Sequence, residues 1–288
     1  MLAQLVNLFK LRIGFLIAFT ALAGYAVTPG RQLTAIEVFL LGLAVLLSSA
    51  SSGAFNQYVE RDLDARMTRT SKRPFVTGRF RHSPIWLWGI MLLLLASVVM
   101  ATVLFNAMVA FHVFMGAFFY AIVYTVWLKR RSSLNIVIGG LAGSFAVLAG
   151  AAAADPGLSP AAWLLAAVLF LWTPPHFWSL AIAIRKDYAA ANVPMLPVVI
   201  GDQRAALVIL VNTIVLVAVS LLPVFFEFGL GWVYLTGAFL GGGLFVYKNI
   251  QLVQRPERSS AMSNFFASLV QLTLILVCAI VDIHFLAS

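Results

Sequence analysis

Three polar residues spaced four positions apart, Asn56, Glu60 and Asp64, end a long apolar stretch of the chain. In an α-helix, residues at i, i+4 and i+8 lie on one face, about 6 Å apart along the axis. Their oxygens suit Mg²⁺, which proteins usually hold with one or two carboxylates and substrate phosphates. Within a membrane, such a row is costly unless it faces the bundle interior or a wet cavity.

A basic loop follows this row directly and contains Arg66, Arg69, Lys72 and Arg73. Carboxylates beside arginines and lysines favour a polyanion bridged to the acids by a metal, and a diphosphate leaving group is the natural candidate. Simple salt bridges on a solvated helix end are the alternative. Asp62 falls about 200° from Glu60 around the helix, so we expect it to lie outside the site.

A second apolar stretch ends in Arg185-Lys186-Asp187, with His176 eleven residues before the acid. In a continuous helix His176 and Asp187 would share a face, with His176 roughly 10–15 Å deeper in the membrane. A histidine beside the Pro174-Pro175 pair could ligate iron, move a proton or bond a freed backbone carbonyl. A hydrogen-bonded packing histidine is the alternative.

Two tyrosines, Tyr120 and Tyr124, lie one helical turn apart near the end of another apolar stretch. Their rings could shield a carbocation through cation–π attraction. Anchoring at the membrane interface is a common use of tyrosine and the favoured interpretation, and cation shielding stays open.

A short internal repeat relates the two acidic segments. Residues 74–78 and 197–201 both fit P-x-V-x-G, and the offset of 123 residues also carries Asp64 onto Asp187. We interpret this as a parallel duplication in which helices 5–8 repeat helices 1–4, although chance agreement of so short a pattern is the alternative. Duplication would place the two acidic helix ends around one central space.

The composition indicates which elements position these residues. The chain has 288 residues, of which 62% are hydrophobic and 10% are charged, whereas about a quarter are charged in soluble domains. Its one cysteine excludes an internal disulfide. The sequence predicts an all-α, polytopic membrane protein with about nine transmembrane helices around a central cavity. The predicted spans are 13–28, 35–58, 84–105, 107–127, 134–153, 160–184, 205–225, 228–247 and 264–286.

The distribution of basic residues predicts the orientation. With the N-terminus inside and the C-terminus outside, 18 of the 19 lysines and arginines lie on the inner side, and only Arg31 lies outside. We therefore expect an integral protein of the bacterial cytoplasmic (inner) membrane, with the candidate site loops on the cytoplasmic side. The net charge of +9 is then a topology signal, and nucleic acid is not an expected partner.

These segments resemble the UbiA superfamily of intramembrane prenyltransferases. The spacing Asn56-x-x-x-Glu60-x-x-x-Asp64 is similar to the first acidic motif of that superfamily, and Asp187 stands where the second motif begins. Longer strings resemble the heme-farnesylating branch: Asn56-Gln57…Arg73-Pro74, Asn135-Ile136-Val137-Ile138-Gly139-Gly140, Pro175-His176-Phe177-Trp178 and Asp187-Tyr188…Pro197-Val198-Val199.

The resemblance implies a single UbiA-like domain over residues 1–288 that joins farnesyl diphosphate to a vinyl group of heme b. Water is then added, which gives heme O and diphosphate. Mg²⁺ would be held by Asn56, Glu60, Asp64 and Asp187. The diphosphate would be bound by Arg66, Arg69, Lys72, Arg73, Lys129 and Lys186. Tyr120 and Tyr124 would shield the cation, and His176 is the candidate heme contact. The implied partners are membrane lipid and either heme A synthase or oxidase assembly proteins.

Other functions stay open at this point. A UbiA-type enzyme could prenylate an aromatic quinone precursor, and a membrane transporter or heme-binding scaffold would also have repeated halves and a proline-broken helix. The segment 185–188 carries one acid where quinone-type members have two or more. Diphosphate binding would then depend more on Lys186 and less on a second metal ion.

Overall fold

The computed structural model describes residues 2–226 and 230–283, and in these ranges the regular secondary structure is entirely helical. We label the long helices α1 (Leu11–Ala26), α2 (Ala35–Val59), α3 (Ile85–Leu104), α4 (Ala107–Phe118, continued by a π-helix over Phe119–Leu128), α5 (Asn135–Gly139 and Leu141–Ala154), α6 (Pro160–Ala183), α7 (Asp202–Phe225), α8 (Trp232–Gln254) and α9 (Arg258–Val281). Short helices span Leu2–Leu8, Arg61–Asp64, Arg185–Ala190 and Leu196–Ile200.

Seven of the long helices, α2 to α7 and α9, are long and apolar enough to cross a membrane. The predicted all-helical membrane fold is confirmed. The count of nine spans and the sidedness of the termini stay predictions, and residues 228–229 and 284–286 of the last two predicted spans lie outside the described residues.

Burial in this bundle is inverted relative to a water-soluble protein. Large apolar side chains face outward, with Trp88 63% and Val103 74% exposed, whereas Asn249 and Gln271 are fully buried. Lipid is as apolar as a protein core, so outward apolar side chains cost nothing there and polar groups turn inward. We therefore expect the functional side chains to lie in the polar interior of the bundle.

Small residues let the helices approach closely. Cβ atoms added at Gly24 and Gly150 would lie 2.2 Å from the carbonyl oxygen of Val147 and 1.7 Å from that of Ala21, so α1 and α5 meet backbone to backbone. Ser48 and Ser51 of α2 donate hydrogen bonds to carbonyls of α4 and α3, each 2.9 Å long. These contacts set the rotation of α2 and hence the direction of its acidic end.

Helices α2 and α6 end in similar ways. Helix α2 stops at Val59, and the short helix Arg61–Asp64 follows a break at Glu60. Helix α6 stops at Ala183, and Arg185–Ala190 follows a break at Ile184. The expectation of one continuous face from His176 to Asp187 is therefore wrong, because the helix ends between them.

The glycines of the P-x-V-x-G repeat share a positive φ. Gly78 and Gly201 have φ of +75° and +83°, in the region where a side chain would be strained. The shared positive φ favours the duplication, which stays a prediction.

Candidate active site

The predicted row of Asn56, Glu60 and Asp64 is buried at the end of α2, with no side chain more than 2% exposed. The break at Glu60 does not turn the row outward, since the Asp64 backbone N–H still donates to the Glu60 carbonyl at 2.8 Å. A basic side chain meets each member: Lys10 meets Asn56, Lys129 meets Glu60 and Arg73 meets Asp64. The row therefore sits in a compact cluster of opposite charges.

Lys10 is a member of this cluster that sequence reasoning missed. It has a φ of +48°, which is unusual for a lysine, and precedes α1. Its Nζ donates to Asn56 Oδ1 at 2.6 Å and to the Tyr120 hydroxyl at 2.8 Å. A Cβ at Gly53 would lie 3.3 Å from the Lys10 side chain, so the glycine makes room for it. Burial lowers the pKa of the Lys10 ammonium well below its usual range, and Arg73 lowers this pKa further.

The two carboxylates of the row are paired differently. Lys129 Nζ lies 2.5 Å from Glu60 Oε2, while Glu60 Oε1 is buried with no hydrogen-bond partner among the described residues. Arg73 donates to Asp64 Oδ2 at 2.6 Å. Burial raises the pKa of the Asp64 carboxyl, and Arg73 opposes this rise. Asp64 thus favours a nearby cation, and Glu60 offers an unused oxygen.

The second predicted acid, Asp187, comes to the same end of the bundle. Its Oδ2 accepts a hydrogen bond from the Arg69 backbone N–H at 3.1 Å, which joins the loop after α2 to the short helix after α6. A cleft of about 920 Å³ opens beside this contact. Its charged lining residues are both basic and acidic: Arg69, Arg185, Lys186, Arg258, Asp187 and Asp202.

The remaining predicted basic residues lie around this cluster at the surface. Arg66, Arg69 and Lys72 are exposed in the loop, and Lys186 is exposed at the cleft. Asp62 points away, as predicted: it is exposed and accepts two hydrogen bonds from Arg130. Arg130 lowers the pKa of Asp62 through these bonds. The acids at 60, 62 and 64 therefore divide into two that belong to the cluster and one that does not.

Tyr120 and Tyr124 stack on each other with ring centroids 5.6 Å apart. Their faces meet two of the basic side chains: Lys10 Nζ lies 5.3 Å from the Tyr120 centroid, and Lys129 Nζ lies 5.6 Å from the Tyr124 centroid. Both tyrosines lie in the π-helix, which the sequence did not predict and which is frequent at functional sites. In the same turn, Thr125 accepts from Asn56 Nδ2 at 3.1 Å.

His176 is buried away from the acidic row. It is stacked between Trp172 and Phe265, with centroid distances of 4.2 and 4.3 Å. Its Nδ1 lies 2.7 Å from the Ser268 hydroxyl oxygen. This geometry agrees with the alternative of a hydrogen-bonded packing histidine, in which Nδ1 is the bonded nitrogen.

A divalent cation at the cluster would need ligands from a substrate as well as from the protein. In the described ranges no group of three or more His, Cys, Asp or Glu side chains is close enough to hold a metal. Mg²⁺ does not require such a group when phosphate oxygens supply the remaining ligands. The unpartnered Glu60 Oε1, in the same buried row as Asn56 and Asp64, fits that arrangement.

Comparison with known proteins agrees with this architecture. The UbiA prenyltransferase family model matches residues 17–270. Protoheme IX farnesyltransferase 2 of Paramagnetospirillum magneticum is 58% identical over 98% of this chain and 97% of its own length. A solved digeranylgeranylglyceryl phosphate synthase has a TM-score of 0.80 at 17% identity, covering 98% of both chains. A UbiA homologue from Archaeoglobus fulgidus, bound to DMAPP and Mg²⁺, has a TM-score of 0.71 at 14% identity, covering 94% of this chain and 99% of that one.

The chain therefore belongs to the UbiA prenyltransferase family, an intramembrane class of enzymes. Within that family it groups with the protoheme IX farnesyltransferases.

Proposed function

We propose that this chain transfers a farnesyl group from farnesyl diphosphate to a vinyl group of heme b. Water is added in the same reaction, and the products are heme O and diphosphate. The observation that carries the proposal is the buried row of Asn56, Glu60 and Asp64, each member contacted by a basic side chain. Its relatives named protoheme IX farnesyltransferase supply the identity of the two substrates.

The basic side chains bind the diphosphate. Arg73 and Lys129 already contact the carboxylates, and a diphosphate at the row would bring phosphate oxygens within reach of the same guanidinium and ammonium groups. Arg66, Arg69, Lys72 and Lys186 are exposed around the mouth and would attract the polyanion before it docks. Their positive charge also stabilises the diphosphate as it departs.

The oxygens of Asn56, Glu60, Asp64 and Asp187 would hold Mg²⁺. Glu60 contributes the free Oε1, and Asp64 would gain a cation that offsets the cost of burying its charge. When bound, Mg²⁺ supplies positive charge that stabilises the leaving diphosphate. The protein holds these oxygens in place. Asn56, Glu60 and Asp64 lie along the end of α2, and the Arg69 N–H in the following loop bonds Asp187.

Tyr120 and Tyr124 would shield the farnesyl cation. Their ring faces already lie 5.3 and 5.6 Å from the ammonium groups of Lys10 and Lys129. A carbocation beside the same rings would be attracted in the same way. The surrounding apolar bundle would exclude water until the new carbon–carbon bond has formed. We also propose the inner-membrane location, with the site loops on the cytoplasmic side, where soluble farnesyl diphosphate would be available.

The test is an assay on the purified full-length chain in detergent, supplied with heme b, farnesyl diphosphate and Mg²⁺. The expected product is heme O, detected by mass spectrometry and lost in EDTA. A matched assay replaces heme b with 4-hydroxybenzoate. Farnesylation of that acceptor alone would contradict the proposal in favour of a quinone-type enzyme. Tight heme binding with no diphosphate release would instead indicate a scaffold.

A further inference from the structure

A second polar cluster lies inside the bundle, away from the acidic row. Asn264, Ser268 and Gln271 occupy positions i, i+4 and i+7 of α9, so they share one face, and each is fully buried. Ser179 and His176 of α6 and Asn249 of α8 lie against them. We call these six residues the polar seam: His176, Ser179, Asn249, Asn264, Ser268 and Gln271.

Hydrogen bonds tie three helices together along the seam. Asn264 Nδ2 donates to Ser179 Oγ at 2.8 Å and to Asn249 Oδ1 at 3.2 Å. One turn deeper on α9, Ser268 Oγ lies 2.7 Å from His176 Nδ1. The seam therefore begins near the end of the bundle that carries Asp187 and runs inward along α9, with Gln271 about 20 Å from the start of that helix.

The seam has more hydrogen-bonding capacity than the protein uses. Within the described part of the chain, Gln271 Nε2, Gln271 Oε1 and Asn264 Oδ1 have no partner. Pro174 and Pro175 lack N–H groups, so the carbonyls of Phe170 and Leu171 lose their helical donors. Unpaired polar groups are costly in a membrane interior. Buried water is the usual remedy, and it typically makes about three hydrogen bonds to such groups. The seam has the chemistry of a water site.

The hydrogen bonds around Ser268 also determine which His176 nitrogen is basic. A hydroxyl has one hydrogen, and Ser268 donates it to the Phe265 carbonyl at 2.6 Å. Ser268 must therefore accept from His176 Nδ1–H, which leaves the lone pair on Nε2. The ring cannot easily rotate, since Trp172 and Phe265 stack on its two faces. His176 is thus held as a proton acceptor at Nε2.

Close packing connects the seam to the acidic site. A Cβ at Gly139 would lie 2.8 Å from the Tyr124 ring, and one at Gly140 would lie 2.9 Å from Thr173. Thr173 precedes His176 by three residues on α6. The start of α5 therefore contacts both Tyr124, whose ring faces Lys129, and the turn of α6 that precedes His176.

We propose that the polar seam binds the water that the reaction adds and that Nε2 of His176 accepts its proton. This inference rests on the proposed function. The electron pair of the vinyl double bond forms a bond between the terminal vinyl carbon and the farnesyl carbon. The bond from the farnesyl carbon to the diphosphate oxygen breaks, and diphosphate leaves with the electron pair of that bond. The positive charge then lies on the vinyl carbon next to the porphyrin. The water oxygen bonds to that carbon, and one water proton passes to His176 Nε2. Asn264, Ser268 and Gln271 act as positioning residues.

The experiment measures two quantities for the full-length enzyme with heme b, farnesyl diphosphate and Mg²⁺: diphosphate release and the mass of the porphyrin product. Without positioned water, the cation loses a proton instead, and the product is lighter than heme O by one water. In Gln271→Leu we expect diphosphate release within about threefold of wild type. In both Gln271→Leu and His176→Phe we expect a roughly tenfold lower ratio of hydroxylated to dehydrated product. His176→Phe keeps an aromatic ring between Trp172 and Phe265.

Ser268→Ala has a matched control. Ser220 of α7 is also fully buried and donates to the carbonyl three residues before it, Val217, at 2.8 Å. We expect Ser268→Ala to shift the product ratio, Ser268→Thr to restore it, and Ser220→Ala to leave it unchanged. These milder variants keep the test decisive where a larger substitution prevents folding.

Three results would overturn the proposal. One is an unchanged product ratio in Gln271→Leu, Ser268→Ala and His176→Phe. A second is an altered absorption spectrum of bound heme in His176→Phe with an unchanged ratio, because Nε2 would then be an iron ligand. A third is parallel loss of diphosphate release and of both products in the folded variants. If the wild-type chain farnesylates no heme at all, the proposed function itself fails, and the wild-type assay alone reveals this.

Discussion

Lys129 Nζ lies 2.5 Å from Glu60 Oε2, across 69 positions of sequence. This contact joins the end of the π-helix to the acidic end of α2. It neutralises one side of the Glu60 carboxylate, while the other oxygen, Oε1, is buried without a partner in the part of the chain that the structure describes. The carboxylate is therefore held in place by the protein and still able to bind a further cation.

The acids of the row should be essential, and the neighbouring acid should not be. We expect Glu60→Gln and Asp64→Asn to lower kcat/KM by about 100-fold or more, because both lie in the cluster that would stabilise the departing diphosphate. Asp62→Asn is the matched control, since Asp62 is exposed and bonded to Arg130. Steady-state heme O formation checks this prediction. Equal losses in all three variants would contradict the division of roles.

Removal of divalent metal should stop turnover reversibly. Treatment with EDTA is expected to abolish heme O formation, and added Mg²⁺ is expected to restore it, because Glu60 Oε1 and Asp64 favour an additional cation. Thermal unfolding followed in the same samples separates loss of chemistry from loss of fold. Full activity after metal removal would mean that the lysines and arginines alone carry the diphosphate charge.

Lys10 should matter although it lies outside both acidic motifs. In Lys10→Met, Asn56 loses its 2.6 Å hydrogen bond and Tyr120 loses its ammonium partner. We expect turnover to fall about tenfold or more, since the cluster loses a positive charge and a fixed Asn56 orientation. Arg12→Met is the control, because Arg12 is exposed two residues away. Kinetics with varied farnesyl diphosphate would check this, and a similar loss in both variants would contradict it.

The contact between α1 and α5 should limit substitution at one glycine. A methyl group at Gly150 would lie 1.7 Å from the Ala21 carbonyl oxygen, so the backbone of α1 or α5 would have to move. We expect Gly150→Ala to destabilise the folded protein by about 1–3 kcal/mol or more, measured as a lower thermal unfolding midpoint in detergent. At Gly143 nothing lies within 4 Å of an added Cβ, so Gly143→Ala should be neutral or slightly stabilising. Similar midpoints for the two variants would disprove the close approach.

Much of the candidate site follows from local pattern. The spacing of Asn56, Glu60 and Asp64 places them on one side of a helix end, and all three are buried together as that spacing predicts. The same reasoning separates Asp62, which is exposed. It is wrong for His176 and Asp187, because it requires a continuous helix between them and α6 ends at Ala183. Helix ends depend on backbone breaks such as Ile184, which periodicity does not encode.

Local sequence pattern was enough to predict a helical membrane protein, the positions of its two acidic segments and the residues that share their faces. These properties arise from hydropathy and from the 3.6-residue period, and both are local. Contacts between distant residues depend on how the helices pack: Lys10 reaches Asn56 and Tyr120 across 46 and 110 positions, and Ser268 reaches His176 across 92. A helical period says which residues point the same way. Which partners those residues contact depends on how the helices pack through their small residues, and this packing involves the whole bundle.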